Sequence, residues 1–238
     1  MKTVLITGLS REMGLGTALA KRYLENGFKV FGSCRDIEQE HIAALSRDHA
    51  GSFFPVPLDL TDLNLIKKAA EIISEHGKLD VLINNATATN GDGNKPVDEG
   101  LDTENMLNAY DVNAVGFIRL AQVLLPHFSE GAVLAAITSE QGSMGKCWRD
   151  SGIDYGMAKA ALNYACVVLQ RRLAPKFGLR VLAIHPGWVQ TRPAPPKADL
   201  SPEESAAFIA KTVANPPPYE AEGNKGVFVW YDGRHFEF

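Results

Sequence analysis

The sequence predicts an α/β fold in which a doubly wound parallel sheet of about seven strands carries helices on both faces. Short apolar runs alternate with longer amphipathic segments along the 238 residues. Several of the short runs are apolar throughout, as expected for strands that are covered on both faces. A glycine-rich turn joins the first apolar run to the first long amphipathic segment. The length favours a single domain spanning residues 1–238.

The individual elements follow from the position of each run. Seven short runs predict strands, at residues 4–7, 30–33, 53–57, 81–84, 133–138, 181–185 and 227–230. Amphipathic segments predict helices at residues 14–26, 63–76, 104–128, 155–177 and 201–213, with a weaker candidate at residues 38–47. Gly27 and Gly77 follow two of these patterns as C-terminal stops. Thr61 and Ser201 precede two others as candidate N-caps.

The composition excludes several classes of protein. A net charge of −4 and scattered basic residues give no field for nucleic acid or an anionic membrane. No apolar run reaches the ~18 residues of a membrane span. The cysteines Cys34, Cys147 and Cys166 form neither a paired motif nor a metal-ligand cluster, so we expect no metal site. An odd number of cysteines without a disulfide pattern agrees with a cytoplasmic protein.

A glycine-rich turn, TGLSREMGLG at residues 7–16, follows the first predicted strand and opens the first long helix. In that position, backbone N–H groups and the helix N-terminus can face a pyrophosphate. The alternative is a strand–helix turn that needs glycine only for its backbone. The location directly after the first strand favours the nucleotide site.

A tyrosine and a lysine stand four positions apart in a predicted helix. Tyr155 and Lys159 therefore leave the same helix face. A phenol titrates near 10, and a neighbouring ammonium lowers that pKa toward the range of acid–base catalysis. Ser139, after the fifth strand, could hydrogen-bond a substrate carbonyl, although a strand-end serine is usually a turn or cap residue. Asn113 could bend its long helix and hold a water; the alternative is a surface asparagine.

The motifs TG-x(5)-G, LDLTD, NNA, N-x-x-G, S-x-x-G, Y-x-x-x-K and HPG-x-x-x-T follow one another along nearly the whole chain. This order resembles the short-chain dehydrogenase/reductase family, a group with the Rossmann fold. The stretches SEQGSMG, HPGWV and WYDG are similar to the C-factor and sniffer-type carbonyl reductase branch. Glu12 and Thr87 stand where the family usually has glycine, and both residues would weaken the cofactor site rather than the fold.

The resemblance implies that Asn113, Ser139, Tyr155 and Lys159 form a catalytic tetrad. The implied reaction transfers a hydride between a nicotinamide and a carbonyl or alcohol carbon. Ser139 would orient the substrate oxygen, and Tyr155 would exchange the proton. Lys159 would lower the pKa of Tyr155 and hold the nicotinamide ribose, while Asn113 would link the site to water. His185 is expected to be structural, because no partner acid is evident for it.

The resemblance also implies a choice of cofactor. Cys34 takes the place of the acid that selects NAD(H), and Arg35 follows it as in NADP-dependent relatives, with Arg11 as a second cation. The alternative is that Arg35 is a solvated side chain paired with Asp36. We therefore predict NADP(H) rather than NAD(H). The implied cofactor contacts are Gly8, Ser10, Arg11, Met13, Gly14, Arg35, Asp59, Leu60, Asn85, Ala86, Tyr155, Lys159, Pro186, Gly187, Val189 and Thr191.

The implied substrate is a small carbonyl or alcohol compound, for which Cys147, Trp148 and Trp188 are candidate pocket residues. The two tryptophans suit an apolar or aromatic compound, although either could instead serve packing. The resemblance also implies a homodimer or homotetramer that pairs through the helices at residues 104–128 and 155–177. Two other readings are a nucleotide-binding signalling protein with little catalysis and an epimerase of the extended branch. The chain lacks the length that the latter usually has.

Overall fold

The computed structural model describes residues 1–89, 95–190 and 198–238. A seven-stranded sheet runs through its centre in the order β3-β2-β1-β4-β5-β6-β7. The strands are β1 (Thr3–Thr7), β2 (Lys29–Cys34), β3 (Phe53–Pro57), β4 (Leu79–Asn84), β5 (Phe128–Ile137), β6 (Arg180–His185) and β7 (Phe228–Trp230). Every neighbouring pair is parallel, which confirms the predicted fold class.

Helices cover both faces of this sheet. They are α1 (Leu15–Glu25), α2 (Glu40–Asp48), α3 (Leu63–Ser74), α4 (Thr103–Tyr110), α5 (Gly116–Leu124), α6 (Ile153–Phe177) and α7 (Pro202–Ala214). One core lies between the sheet and α3, α5 and α6, and the other lies between the sheet and α1, α2 and α7. Since both faces are buried, the strands read as continuous apolar runs.

One predicted N-cap is confirmed and the other is wrong. Ser201 forms a capping box at α7: its hydroxyl accepts from the Glu204 N–H at 3.1 Å, and the Glu204 carboxylate accepts from the Ser201 N–H at 2.8 Å. At α3 the cap is Asp62, whose carboxylate accepts from two backbone N–H groups of the first turn. Thr61 instead donates its hydroxyl to Asp59. The carboxylate is the better cap because it also interacts favourably with the helix dipole.

The predicted helix at residues 104–128 is divided into α4, a π-helical turn, α5 and a 3-10 turn. A single π-helical turn, Asp111–Val115, separates α4 from α5. After α5, a short 3-10 turn contains Pro126, which lacks a backbone N–H and ends the helix. Phe128 then opens β5, five residues before the predicted start of that strand. Polar residues at 129–131 break the apolar pattern and hide the beginning of β5 from the sequence.

The strand order places a switch point between β1 and β4. The chain moves from β1 outward to β2 and β3, and from β4 outward in the other direction to β5, β6 and β7. In such sheets, ligands bind in the crevice beyond the carboxyl ends of the two central strands. Within the described ranges, no helix combines the length and apolar character needed to cross a membrane.

Candidate active site

The glycine turn after β1 lies against the turn after β4. Gly8 has φ +84°, and the N–H groups of Gly8 and Leu9 both donate to the Ser33 carbonyl, at 2.8 and 3.0 Å. A Cβ atom built on Gly8 would lie only 2.7 Å from the Cα atom of Ala86. Only glycine tolerates both this φ and this contact.

Side chains at the ends of β1 and β4 fix the crevice between the two strands. The Thr7 hydroxyl donates to the Asn84 amide oxygen at 3.1 Å and accepts from the N–H groups of Asn85 and Ala86, each at 3.0 Å. The Asn85 amide donates to the carbonyls of Thr7 and Gly8 at 3.0 and 3.2 Å. Asn85, a predicted cofactor contact, therefore also holds the glycine turn in place.

The N-terminus of α1 presents its N–H groups to this crevice. Gly14 is the N-cap and has no side chain to bond them, and the Thr17 hydroxyl donates back to the Arg11 carbonyl at 2.8 Å. The exposed residues of the turn are Ser10, Arg11, Glu12 and Met13. Glu12 is exposed and forms no ion pair among the described residues. Its carboxylate is therefore surrounded by solvent and makes no contact that would fix it inside the turn.

The end of β2 carries the residues predicted to select the cofactor. Cys34 is buried and donates its thiol to the Asp36 carbonyl at 3.0 Å; burial, followed by the Asp36 charge, raises the pKa of this thiol. Arg35 is exposed, and within residues 1–89, 95–190 and 198–238 it forms no ion pair with Asp36. Burial works to raise the pKa of Asp59, but hydrogen bonds from the following turn and the Arg35 charge lower it overall. Leu60 is buried.

The turn after β6 packs against Leu200 and the start of α7. Gly187 has φ +83°, and a Cβ there would lie 2.6 Å from the Leu200 side chain. The Pro186 carbonyl accepts a hydrogen bond from α7 at 2.7 Å. Val189 pairs with Leu200 in an isolated parallel bridge. Thr191, a predicted cofactor contact, lies outside the described residues.

Lys159 and Tyr155 lie on adjacent turns of α6, as the sequence predicts. Lys159 is buried, and its Nζ donates to the Ile137 carbonyl at 2.9 Å, at the end of β5. Its Nζ is 5.4 Å from the centroid of the Tyr155 ring. Burial lowers the pKa of Lys159 to about 8.

The pKa of Tyr155 departs from the expectation. Burial, and then the nearby Glu140 carboxylate, raise this pKa to about 12, while hydrogen bonds with Thr87 and Ser139 act in the other direction. The expected lowering by Lys159 is wrong for this arrangement of the site. The reason is that burial of the phenol, and then the Glu140 carboxylate beside it, both oppose a negative charge on Tyr155.

Asn113 lies in the π-helical turn and is completely buried, so the surface alternative is wrong. Its amide nitrogen donates to the carbonyls of Ala88 and Ala109 at 2.7 and 2.8 Å. Its amide oxygen accepts from the Thr87 hydroxyl at 2.6 Å. The side chain is therefore held by protein groups on both ends, and Thr87 takes part in this bonding.

Ser139 follows β5 and bonds to a residue that sequence reasoning missed. Its hydroxyl donates to Glu140 Oε2 at 2.8 Å and accepts from the Gln141 N–H at 3.2 Å. The Glu140 carboxylate also contacts Arg149 Nη2 at 3.2 Å and His185 Nε2 at 3.4 Å. The available signal was its place in SEQGSMG, directly after the predicted catalytic serine.

The expectation that His185 lacks a partner acid is wrong, because Glu140 lies beside it. The imidazole stacks on Trp230 with ring centroids 4.6 Å apart, and burial lowers its pKa although Glu140 works to raise it. Burial likewise works to raise the pKa of Glu140, but the bonds with Ser139, His185 and Arg149 lower it overall. Glu140 is thus a carboxylate held in its ionised form.

A cavity of about 420 Å³ adjoins Glu140 and Arg149 and extends over the first turns of α6. Cys147 and Trp148, two of the predicted substrate residues, line it; Trp148 also stacks on the Arg149 guanidinium at 4.6 Å. Trp188 is not part of its lining. Trp148 and Trp188 are 75% and 63% exposed, so neither serves core packing.

The parallel order of strands and the glycine turn at its switch point define a Rossmann-type nucleotide-binding fold. The family model for short-chain dehydrogenases matches residues 2–199, and the chain belongs to this family of oxidoreductases. Short-chain dehydrogenase PC-15 from Penicillium crustosum is 33% identical over 94% of this chain and 78% of its own length.

Two solved structures are similar over the whole chain. Carbonyl reductase Sniffer of D. melanogaster superposes with a TM-score of 0.87 at 27% identity and full coverage of both chains. A short-chain dehydrogenase/reductase from Burkholderia multivorans with bound NADP gives 0.85 at 27% identity, covering 100% of this chain and 99% of that one. These similarities support the carbonyl reductase branch that the sequence motifs indicate.

Proposed function

We propose that this protein is an NADP(H)-dependent oxidoreductase that interconverts a small carbonyl compound and its alcohol, with Tyr155 as the acid–base. The observation that carries the proposal is the arrangement at the carboxyl end of the sheet. There Ser139 follows β5, and Tyr155 and Lys159 lie on α6, next to a cavity open to a small molecule.

The crevice fits a dinucleotide. At Gly8 the backbone approaches Ala86 so closely that no side chain fits between them. The first N–H groups of α1 have no side-chain cap, so they are available to a pyrophosphate. Arg35 is exposed and could bind a 2′-phosphate. Cys34, which precedes it, takes the place of a carboxylate that would repel this phosphate. The NADP bound to the Burkholderia relative agrees with this choice. When bound, the nicotinamide supplies or accepts the hydride.

The chain's own residues would orient the substrate and move its proton. The Ser139 and Tyr155 hydroxyls would bond the substrate oxygen, and Tyr155 would pass its proton to that oxygen in reduction. Lys159 would place its buried ammonium between β5 and the ribose. Asn113 would hold the loop after β4 through its bonds to Ala88 and Thr87.

The exposed apolar side chains of the cavity favour a substrate with a largely apolar body. Trp148 and Cys147 line it, and Met144 adds an 83% exposed side chain at its rim. Glu140 and Arg149 are paired with each other, and Lys95, Lys146 and Asp150 also line the cavity.

The exposed faces of α4 and α6 are the surface through which we expect two copies of this chain to form a homodimer. Large apolar side chains on α4 and α6 stay exposed in the single chain: Leu107 is 70% exposed and Tyr164 is 73% exposed. Contact between two copies along these helices would bury both.

The test is turnover of NADPH and NADH with a panel of aldehydes and ketones, for the parent protein and for Tyr155→Phe. We expect Tyr155→Phe to lose nearly all turnover while its affinity for NADPH, measured by calorimetry, changes little. Tyr164→Phe, an exposed tyrosine of the same helix, is the matched control and should retain activity. Full turnover by Tyr155→Phe refutes the acid–base assignment, and equal or reversed cofactor preference refutes the choice of NADP(H).

A further inference from the structure

We propose that residues 234–238 (the edge segment) hold the rim of the cavity in place and thereby favour bulky apolar substrates over small ones. The rim is formed by residues 144–148 (the cavity loop), between β5 and α6. Four members of the cavity loop line the cavity: Met144, Lys146, Cys147 and Trp148. The effect on substrate choice rests on the oxidoreductase function proposed above.

The edge segment is anchored on the last strand of the sheet. β7 stands at the edge of the sheet, and His235 pairs with Val229 in an antiparallel bridge. The Phe236 N–H donates to the Phe228 carbonyl at 2.8 Å. Phe236 is buried, and its ring stacks on that of Phe228 with centroids 4.6 Å apart. The segment therefore bonds backbone groups that an edge strand leaves unpaired, and its anchor lies in the core.

Beyond this anchor, two residues of the edge segment contact the cavity loop. The Gly145 N–H donates to the Phe238 carbonyl at 2.9 Å, and Lys146 Nζ lies 3.0 Å from Glu237 Oε2. A Cβ atom built on Gly145 would lie 3.0 Å from the Phe238 oxygen and 3.1 Å from the Glu237 carboxylate. A side chain at position 145 would therefore push the edge segment away.

The cavity loop has little other support. All five of its residues are exposed. Its remaining hydrogen bonds stay within residues 143–149. In the described part of the chain, every hydrogen bond and ion pair that joins residues 144–148 to a distant element ends on Glu237 or Phe238. The position of the cavity loop therefore depends on the edge segment.

This dependence bears on the size of the substrate. The cavity loop supplies the large apolar side chains at the rim, Met144 and Trp148. An aromatic aldehyde has more apolar area to bury against these side chains than acetaldehyde has. A loop that is already ordered loses less conformational entropy when it binds a substrate. Holding the cavity loop in place should therefore benefit the larger substrate more.

The experiment ends the chain after Phe236, which removes both contacts to the cavity loop and keeps the buried anchor. The probes are benzaldehyde and acetaldehyde, with NADPH as the hydride donor. We expect the ratio of kcat/KM for benzaldehyde to that for acetaldehyde to fall about tenfold. The Kd of NADPH should stay unchanged, because the nucleotide crevice lies beyond β1 and β4. An unchanged ratio of kcat/KM overturns the proposal.

Point variants make the test independent of the truncation. Gly145→Ala should lower the same ratio, because the new Cβ displaces the edge segment. Lys146→Glu should lower it about twofold, and the double variant Lys146→Glu, Glu237→Lys should restore it by reversing the ion pair. Glu220→Gln is the matched control: its exposed carboxylate pairs with Lys225 at 3.3 Å, away from the cavity, and the ratio should not change.

A measurement without substrate separates this proposal from the proposed function. Amide hydrogen exchange in residues 144–148 should be faster in the truncated protein, because the Gly145 N–H has lost its acceptor. Unchanged exchange there overturns the proposal, whether or not the parent protein is active. If the truncated protein fails to fold, Gly145→Ala provides the same reading. If the parent reduces no member of the carbonyl panel while exchange in the variant is faster, the proposed function alone is refuted.

Discussion

Replacing Lys159 by methionine should abolish turnover and yet stabilise the folded protein at neutral pH. Lys159 is 2% exposed, and burial lowers its pKa from 10.5 to about 8. Each unit of such a shift corresponds to about 1.4 kcal/mol, so the buried ammonium costs about 3 kcal/mol at pH 7. Methionine has similar length and no charge, and it removes that cost.

The lost hydrogen bond offsets part of the gain. The Ile137 carbonyl would lose its bond to Nζ, which costs about 1–3 kcal/mol. We therefore expect Lys159→Met to be more stable than the parent by up to about 2 kcal/mol at pH 7. This is a trade of stability for function, because the same ammonium is the proposed partner of Tyr155 and the ribose.

The sign of the pH dependence provides the sharper measurement. The folded-state pKa lies below the unfolded one, so the unfolded chain binds more protons between pH 8 and 10.5, and parent stability rises with pH there. The advantage of the variant over the parent should fall by about 2–3 kcal/mol between pH 7 and 10 in urea unfolding, so that the parent becomes the more stable protein at pH 10. Lys176→Met, an exposed lysine of α6, should show no such change. A Lys159→Met protein that is less stable at pH 7, with a difference independent of pH, would refute the reasoning.

Two further substitutions test the crevice. Asn113→Leu removes the hydrogen bonds that the Asn113 amide donates to the carbonyls of Ala88 and Ala109. The free energy of unfolding, measured in urea, should fall by about 2–4 kcal/mol. A loss below about 1 kcal/mol would contradict the structural role of Asn113. Gly8→Ala should abolish NADPH binding in calorimetry, because the new Cβ meets Ala86 Cα at 2.7 Å. Gly51→Ala is its control: it has a similar φ of +80° and open space around it, so it should cost about 1–2 kcal/mol of stability but retain the cofactor.

The strand sequence was sufficient to predict the sheet. The runs in β1 and β6 are apolar and buried on both faces of the sheet, an environment that favours a continuous apolar strand. The break in the helix at residues 104–128 was not predicted, because a π-helical turn leaves the apolar periodicity of its flanking segments nearly intact. The start of β5 was not predicted either, because Ser129 and Glu130 are polar and at least partly exposed and so interrupt the apolar pattern of the strand.

The spacing of residues along the chain was sufficient to predict the candidate catalytic residues. It was not sufficient to predict their pKa values. Tyr155 and Lys159 are four residues apart on one helix, so sequence alone determines that they share a face. Ser139 follows β5, and the pairing of β5 with β4 and β6 fixes the position of this serine at the carboxyl end of the sheet. The family, the glycine turn and the set of candidate catalytic residues were all available at this level.

Only the tertiary structure decided the state of the tyrosine. The bonds that set it join residues that are distant in sequence: Thr87 to Asn113, Glu140 to His185, and Lys159 to Ile137. A pKa depends on burial and on charges within a few ångströms, and spacing along the chain reports neither. The sequence by itself therefore determined which residues meet at this site, while the fold determined which of them hold the protons.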